Sequence, residues 1–345
     1  MVHVGPTQSG GTQVPTPPIT ILKESDLRTC VNLDVESLDA VEQGFTRLAQ
    51  GQATVPPIMM IPVPERSGEV DVKSAYVEGW ESFAVKIASG FFDNPKQGLP
   101  SGSGMMIVVS AETGFPQAVL LDNGYLTDIR TALAGAIAAK YLAPTEIDCV
   151  GVVGAGTQGR YQVRALQRVR RFNRIVVYDR DVELAATYAR EMTQELGLDV
   201  VVASGPEMVV CDSQLVITAT PSREPYVRAE WLRAGQHLTA MGSDSEEKQE
   251  LEPQVLGRAD RIVCDRKSQC FRLGELHHAK VAEVLDESHD ITELGELTAG
   301  SKKGRATEGE ITVCDLTGVG VQDTAIALLA FRKAKERDLG LTVEG

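Results

Sequence analysis

Hydrophobic and polar positions follow two different periods along the chain. Residues 19–22 form an apolar run that predicts a short strand, and apolar residues three and four apart predict a helix over 35–49. From 54 to 122 apolar and polar positions alternate between Gly-, Pro-, Asn- and Ser-containing turns, which predicts strands. The predicted strands cover 57–62, 69–77, 82–87, 105–110 and 118–122. We therefore expect an α+β unit with a mostly antiparallel sheet.

The rest of the chain alternates apolar runs with helical segments. An Ala-rich helix is predicted from Thr127, as its N-cap, to Leu142, because Pro144 follows. Strands are predicted at 149–153, 174–178, 200–202, 214–218, 237–241 and 261–264, and a last helix at 323–337. This alternation is typical of a parallel doubly wound sheet.

The pattern predicts an α/β protein with two domains. A Rossmann-type doubly wound domain is expected at 126–316. An α+β domain for substrate binding and dimerisation is expected at 19–125 together with 317–345. Residues 1–18, rich in Gly, Pro, Thr and Gln, are expected to be a disordered tail.

A glycine motif stands between a predicted strand and a predicted helix. It reads Gly154, Ala155, Gly156, Thr157, Gln158, Gly159. In a dinucleotide-binding turn the first glycine permits the tight turn, the second leaves room for a pyrophosphate, and the third lets helix and strand pack closely. The free N–H groups of the helix N-terminus would hold the phosphates. The alternative is a glycine-rich turn that binds no nucleotide.

An acid at the end of the next predicted strand indicates which nucleotide binds. Asp179 lies 25 residues after Gly154, close to the interval at which a carboxylate accepts hydrogen bonds from the adenosine ribose. Because a carboxylate repels a 2′-phosphate, Asp179 favours NAD(H). Arg180 follows and could weaken this preference, so NADP(H) is the alternative.

Composition narrows the classes of partner. The 345 residues are 43% hydrophobic, enough for sizeable cores, and 34 Lys and Arg against 48 Asp and Glu give a net charge of −14. An acidic surface argues against nucleic acids and anionic membranes as partners, and it also keeps a protein soluble. The six cysteines form no CxxC pair, and no apolar run is long enough to span a membrane. We expect a reduced, cytoplasmic protein with no disulfide and no metal site.

Three cations interrupt apolar patterns. Lys73 and Lys86 lie on adjacent predicted strands, and Arg130 lies in the first turn of the Ala-rich helix. A guanidinium there can bind a carboxylate through two hydrogen bonds. The alternatives are a solvated strand face for each lysine and, for Arg130, a salt bridge with Asp122 or Asp128.

Asp244 follows the strand predicted at 237–241, at the edge of a parallel sheet where ligands bind. A carboxylate there can act as a general acid or base beside a nicotinamide. The alternative is an ordinary loop acid, since three glutamates follow closely. His277 and His278 are adjacent, would face different directions on a helix, and are expected to be bystanders.

At these residues the chain resembles the ornithine cyclodeaminase/μ-crystallin family, over nearly everything from Ile19 onward. The matching stretches are FAVKIASG, TGFPQAVLLDNGYLTDIRTALAG, VVGAGTQGRYQ, VVYDRD, ITATPSRE, MGSDSEEKQELEP and VCDLTGVGVQD. The stretch VDVKSAYVEGWESFAVKIASGFFDNPKQGLPSGSG is similar to the branch named for ectoine utilisation, to which the iminosuccinate reductases of the β-hydroxyaspartate cycle are related. The resemblance implies a homodimer built through the N-terminal sheet domain and a Rossmann domain that holds NAD(P), with Thr218 of ITATPSRE among the cofactor-binding residues.

The resemblance also implies roles for residues around the substrate. Lys86, Ser101 and Arg130 match residues that bind the α-carboxylate and amine region of the substrate. Asp244 matches the catalytic aspartate of the cyclodeaminases, and Lys86 is expected to assist it in catalysis. Thr317 falls in the segment that closes over the substrate near the nicotinamide.

Two departures from the family pattern argue against ornithine as substrate. Ile58 follows Pro56-Pro57, where the family often has arginine, and Lys73 stands where a glutamate recognises the side-chain amine. A lysine would repel ornithine and attract a second carboxylate. We therefore predict NADH-dependent reduction of a small α-imino acid, with iminosuccinate to aspartate as the leading case. The alternatives are an ammonia-releasing NAD-dependent cyclodeaminase or ectoine-degradation enzyme, and a non-catalytic μ-crystallin-like protein that binds NADPH and a small ligand.

Overall fold

The computed structural model describes residues 16–344, and within them it contains two sheets of eight strands each. Most of the expected disordered tail, residues 1–15, therefore lies outside the described residues. Residues 16–18 have no regular secondary structure. The mixed α/β fold with a parallel doubly wound sheet is confirmed.

The first sheet is mostly antiparallel. Its strands are β1 (Ile19–Lys23), β2 (Ala53–Thr54), β3 (Met59–Val63), β4 (Gly68–Val77), β5 (Ser82–Phe91), β6 (Gly102–Ser110), β7 (Pro116–Leu121) and β16 (Leu341–Val343). They follow the order β16-β1-β7-β6-β5-β4-β2, and β3 also pairs with β4. Only the β1–β7 pair is parallel. Side chains therefore alternate between an inner face that meets helices and an outer face.

The second sheet is parallel throughout. Its strands are β8 (Cys149–Val153), β9 (Arg174–Tyr178), β10 (Asp199–Val202), β11 (Leu215–Thr218), β12 (His237–Ala240), β13 (Arg261–Cys264), β14 (Ile291–Glu293) and β15 (Thr312–Asp315). They follow the order β10-β9-β8-β11-β12-β15-β13-β14. The direction of winding reverses between β8 and β11, and ligands of such sheets bind at the carboxyl ends of the strands beside that point.

Helices cover both sheets. They are α1 (Glu24–Cys30), α2 (Val35–Ala49), α3 (Tyr125–Leu142), α4 (Thr157–Leu166), α5 (Val182–Leu196), α6 (Pro206–Asp212), α7 (Pro253–Arg258), α8 (Lys267–Leu273), α9 (Glu275–Val281), α10 (Leu294–Thr298) and α11 (Gly320–Glu336). The amphipathic α2 buries one face, as its spacing predicts, whereas α3 is buried nearly all round. Small residues make that burial feasible: a Cβ at Gly135 would lie 2.0 Å from Gln162 Oε1 of α4.

The helix α3 packs against elements of both predicted domains. It contacts α4 and β12 on one side and α2 and α11 on the other. One hydrophobic core contains residues of this helix together with Leu22 of the first sheet and Val263 of the second sheet. We propose that the chain forms two domains, one of residues 19–125 with 317–345 and one of residues 126–316. The two domains share this core.

The prediction of Thr127 as an N-cap was wrong. The helix α3 begins at Tyr125, and Gly124, with φ of +88°, is the N-cap residue. A positive φ is cheap for glycine, so the backbone turns there without a capping side chain. The prediction also missed β2, β14, β15 and β16, because strands of two to four residues are too short to show a clear period.

No helix in residues 16–344 is both long enough and apolar enough to cross a membrane. The six cysteines are unpaired, and five of them are buried.

Candidate active site

The glycine motif connects β8 to α4. Gly154 has φ of +107°, and a Cβ there would lie 2.5 Å from Ala219 O. A Cβ at Gly159 would lie 2.1 Å from Gly154 O, whereas nothing lies within 4 Å of the Cβ position of Gly156. The backbone of the protein itself requires the first and third glycines, and the space beside the second is open. The turn therefore fits a dinucleotide phosphate.

Asp179 is fixed directly beside this turn. Its Oδ2 accepts a hydrogen bond from the Ala155 N–H at 2.8 Å, and its Oδ1 accepts one from the Asp181 N–H at 2.9 Å. The Arg180 side chain is exposed to solvent. The acid expected to meet the ribose thus stands at the end of β9.

Two other expected cofactor residues, Gln158 and Thr218, already have side-chain partners within the protein. Thr157 is the first residue of α4, and Gln158 Nε2 donates to Asp128 Oδ1 at 2.9 Å. Burial raises the pKa of Asp128 to about 6. Thr218 Oγ1 donates to Glu250 Oε2 at 2.7 Å. The side chains of Gln158 and Thr218 are therefore held within the protein before any cofactor binds.

Glu250 joins the loops that follow β11 and β12. Its Oε1 accepts from the Thr220 N–H at 2.7 Å, and its Oε2 accepts from the Gly242 N–H at 2.8 Å. The side chain is fully buried. A buried carboxylate with several donors holds both loops in fixed positions at the edge of the sheet.

Arg130, in the second turn of α3, pairs with an acid of α11. Its Nε lies 2.9 Å from Asp323 Oδ1, and its Nη1 donates to Gln322 Oε1 at 3.0 Å. The alternative partners Asp122 and Asp128 were therefore wrong. A guanidinium has five N–H donors, so these contacts leave donors for the carboxylate of a ligand.

Lys86 reaches the same carboxylate from β5. Its Nζ lies 3.1 Å from Asp323 Oδ1, and the side chain is 1% exposed, so the solvated strand face was a wrong alternative. Burial, with the nearby Arg130, lowers the pKa of Lys86 to about 7, against the opposing effect of Asp323. Burial would raise the pKa of Asp323, but Arg130 and Lys86 outweigh it and lower the pKa.

Lys73 lies opposite Lys86 in the β4–β5 register and is also buried. Its Nζ donates to Thr317 O at 3.2 Å and to Gly318 O at 3.4 Å. It also lies 3.9 Å from Asp71 Oδ2, whereas the buried Asp71 Oδ1 has no hydrogen-bond partner. Lys73 therefore ties β4 to the segment that leads into α11.

Asp265 holds the backbone of this segment, at Thr317 and Gly318. The Thr317 and Gly318 N–H groups donate to Asp265 Oδ2 at 2.9 and 2.6 Å, and Gln269 Nε2 donates to Thr317 Oγ1 at 2.8 Å. Gly318 has φ of +81°, and a Cβ there would lie 2.7 Å from Arg130 Nη1. The segment thus lies directly against the guanidinium.

Asp244 lies in the loop after β12 and is paired. Its Oδ1 lies 2.7 Å from Lys248 Nζ, which lies 2.8 Å from Glu69 Oε1 on β4. The Asp244 side chain is 38% exposed, so the carboxylate is held by Lys248 and still accessible to a ligand.

Ser101 is not brought to the cations. It is exposed just before β6, and its carbonyl accepts from the Phe91 N–H at 2.7 Å. The histidines expected to be bystanders lie beside the Asp244 loop, where His278 Nε2 lies 2.8 Å from Lys248 O.

Sequence reasoning missed the partners of the expected residues. They are Glu69, Asp71, Lys248, Glu250, Asp265 and Asp323. The strand period contained one indication, because Glu69, Asp71 and Lys73 lie two apart and so share one face of β4. Lys248 pairs with the distant Glu69, and Asp323 pairs with the distant Lys86 and Arg130. Pairs so far apart in the chain leave no pattern along the sequence.

The site thus combines a buried cation group with a dinucleotide-type turn. Lys73, Lys86 and Arg130 can hold an anion, and the loops that follow β8, β11, β12 and β15 stand at the carboxyl edge of the second sheet. These three side chains are buried, and charge-assisted hydrogen bonds to a ligand carboxylate are strong where water is excluded.

Known proteins share this whole architecture. The uncharacterized cyclodeaminase y4tK of Sinorhizobium fredii is 48% identical over 95% of this chain and 99% of its own length. The iminosuccinate reductase of Paracoccus denitrificans is 32% identical over 89% of this chain and 94% of its own. The structure of Thermococcus litoralis Δ1-pyrroline-2-carboxylate reductase in complex with NADH and L-proline has a TM-score of 0.89 and 32% identity, and covers 94% of this chain and 100% of that one.

The family assignment rests on nearly the complete described chain. The model of the ornithine cyclodeaminase/mu-crystallin family matches residues 19–338. That range includes the glycine motif, the cation group and Asp244. This protein is a member of the ornithine cyclodeaminase/mu-crystallin family.

Proposed function

We propose that this protein is an enzyme that uses NADH to reduce a small α-imino acid to the amino acid. The observation that carries the proposal is the buried group of Lys73, Lys86 and Arg130. Two carboxylates, Asp323 and Asp71, stand among these three cations. An anion such as a substrate carboxylate would complete the charge balance.

The α-carboxylate is assigned to Arg130 and Lys86. Both reach Asp323, which fixes their side chains before a ligand arrives. Each charge-assisted hydrogen bond contributes about 1.5–3 kcal/mol. This contact would bring the carbon next to the carboxylate to the edge of the second sheet, with Thr317 and Gly318 as the adjacent wall.

The cofactor assignment is NADH, with NADPH as the weaker ligand. Gly154 to Gly159 would hold the pyrophosphate and Asp179 the adenosine ribose; when bound, the dinucleotide supplies the hydride. Asp179 is already fixed by two N–H groups, so it cannot turn away from a 2′-phosphate without losing both.

Asp244 is assigned to the imine nitrogen. A protonated imine is the better hydride acceptor, and a nearby carboxylate stabilises its positive charge. Burial would raise the pKa of Asp244, but Lys248 and Lys73 outweigh it and lower the pKa. Asp244 is therefore ionised at neutral pH and accepts a hydrogen bond from the imine N–H.

Iminosuccinate is the leading substrate within this class. A second carboxylate would approach Lys73, whose ammonium donates to the carbonyls of Thr317 and Gly318. The P. denitrificans relative is an iminosuccinate reductase, and the T. litoralis structure holds L-proline. A cyclic imine is therefore the matched competitor.

The test is a substrate panel with two readouts. Purified protein is given NADH and iminosuccinate, the imine of pyruvate, or Δ1-pyrroline-2-carboxylate, and the nicotinamide absorbance is followed. In parallel, ornithine with NAD is assayed for ammonia. We expect NADH oxidation, fastest with iminosuccinate, and tighter binding of NADH than of NADPH by fluorescence titration.

Two other outcomes would replace the proposal. Ammonia release from ornithine without net change in NADH would assign a cyclodeaminase, the activity named for the S. fredii relative. Binding of NADPH and a small ligand with no turnover of any substrate would assign a μ-crystallin-like binding protein.

A further inference from the structure

Lys248 is a buried lysine to which the proposed chemistry assigns no contact with the substrate or the cofactor. It lies in the loop after β12, and its side chain is 10% exposed. Its Nζ has two carboxylate partners, Asp244 Oδ1 at 2.7 Å and Glu69 Oε1 at 2.8 Å. These partners come from different sheets, so the ammonium joins the substrate side of the site to the dinucleotide side.

The loop presents Lys248 rigidly. Its carbonyl accepts from Ser243 Oγ and lies 2.8 Å from His278 Nε2 of α9. Its Nζ also lies 5.1 Å from the ring centroid of Phe92, within the range of a cation–π interaction. A lysine held at both backbone and head loses little further entropy when it fixes a neighbour.

Both cations and acids surround Asp244, and they change its pKa in opposite directions. Lys248 and Lys73 face it as cations, and Asp71 and Glu69 lie on the same face of β4 as acids. Without Lys248, partial burial and the two acids would favour the protonated form of Asp244. Lys73 would oppose them alone, from a position already engaged with Thr317 and Gly318.

We propose that Lys248 is a positioning residue that fixes Asp244 as an ionised acceptor for the substrate's protonated imine. This inference rests on the proposed function. Hydride addition at the imine carbon breaks the C=N π bond, and that electron pair moves to nitrogen. The product is a neutral amine, which takes its proton from water. Asp244 gives up no proton in this sequence.

The test compares Lys248→Met with Lys248→Arg and a surface control. Lys280→Met removes an exposed lysine that pairs with Glu287 and should leave every measured quantity unchanged. Lys248→Met should lower kcat/KM roughly tenfold to a hundredfold and move the acidic limb of the pH profile to higher pH, since more Asp244 is protonated. NADH affinity should stay within about twofold, and Lys248→Arg should restore the limb because its charge is retained.

Glu69→Gln separates the two partners of Lys248. It leaves the Asp244 pair intact, so the acidic limb should stay at the wild-type pH or move lower. If Glu69→Gln moves the limb upward as far as Lys248→Met does, the contact between sheets is what matters and the proposal is wrong.

Two further outcomes overturn the proposal. An unchanged pH profile in Lys248→Met would do so, and so would an equal loss of activity, NADH affinity and melting temperature that Lys248→Arg does not restore. If wild-type protein reduces no imino acid, the proposed function fails separately. In that case the role of Lys248 is tested by NMR of labelled aspartate carboxyl carbons, with the Asp244 signal assigned from Asp244→Asn. The proposal requires the pKa of Asp244 to be higher in folded Lys248→Met than in the wild type.

Discussion

At the residue scale, charge balance around one lysine controls how the site responds to pH. Lys86 shares Asp323 with Arg130, and burial lowers its pKa to about 7. The protonated form is the one that binds a carboxylate. Below this pKa the lysine is charged, and above it the charge is lost.

We therefore expect kcat/KM for the imino acid to fall above about pH 7, approaching tenfold per pH unit if Lys86 is essential. Bound carboxylate raises the pKa of the lysine, so kcat should fall at higher pH than kcat/KM. Lys86→Arg stays charged throughout and should remove this basic limb. A limb that is unchanged in Lys86→Arg would assign it to another group.

Lys73 gives a prediction about selectivity at the same scale. Lys73→Glu replaces a cation by an anion beside Asp71. A dicarboxylate imine should then lose much more kcat/KM than a monocarboxylate imine, because attraction becomes repulsion. Lys73→Met is the matched control, since both variants lose the contacts to Thr317 and Gly318. Equal losses of kcat/KM for both substrates in Lys73→Glu would show that Lys73 does not bind a second carboxylate.

At the element scale, two glycines of the β8–α4 turn serve different purposes, one for the fold and one for a ligand. Gly159 is required by contact with Gly154 O, whereas Gly156 faces open space and has an ordinary φ of −77°. Gly156→Ala should therefore keep the melting temperature and weaken NADH binding. Gly159→Ala should lower both, because its Cβ meets backbone. Calorimetry and fluorescence titration check the pair, and unchanged NADH affinity in Gly156→Ala would show that no phosphate lies there.

The elements also show what a sequence can and cannot reveal. The bounds of α2, β8 and β9 match their predictions, because long apolar periods and a glycine turn are local features. The strands β14 and β16 were missed, since three residues gain their stability only from pairing across the fold. Lys86 and Arg130 were found because they interrupt apolar patterns. Their acid, Asp323, stands 193 positions after Arg130 and could be assigned only in three dimensions.

At the scale of the whole molecule, the first sheet has an outer face that is apolar. Its half-exposed residues are Phe83, Val85, Ile87, Met105, Ile107, Val109, Val119 and Leu121. Met105 is paired with Ile87 across β5 and β6, and Ile107 with Val119 across β6 and β7. A continuous apolar face of this kind marks an interaction surface.

We propose a second copy of this chain as the occupant of that face, as the family resemblance implies. A two-fold axis would bring the same strands of both copies together and bury both apolar faces. Met105 is 37% exposed on β6, a strand that is paired on both sides within this face. Met105→Asp places a carboxylate within the apolar face of each copy, so light scattering at micromolar concentration should change from dimer to monomer. Val182→Asp is the matched control, because Val182 is 69% exposed at the start of α5, away from the first sheet. A wild-type monomer, or a Met105→Asp dimer as stable as the control, would show that this face does not join two copies.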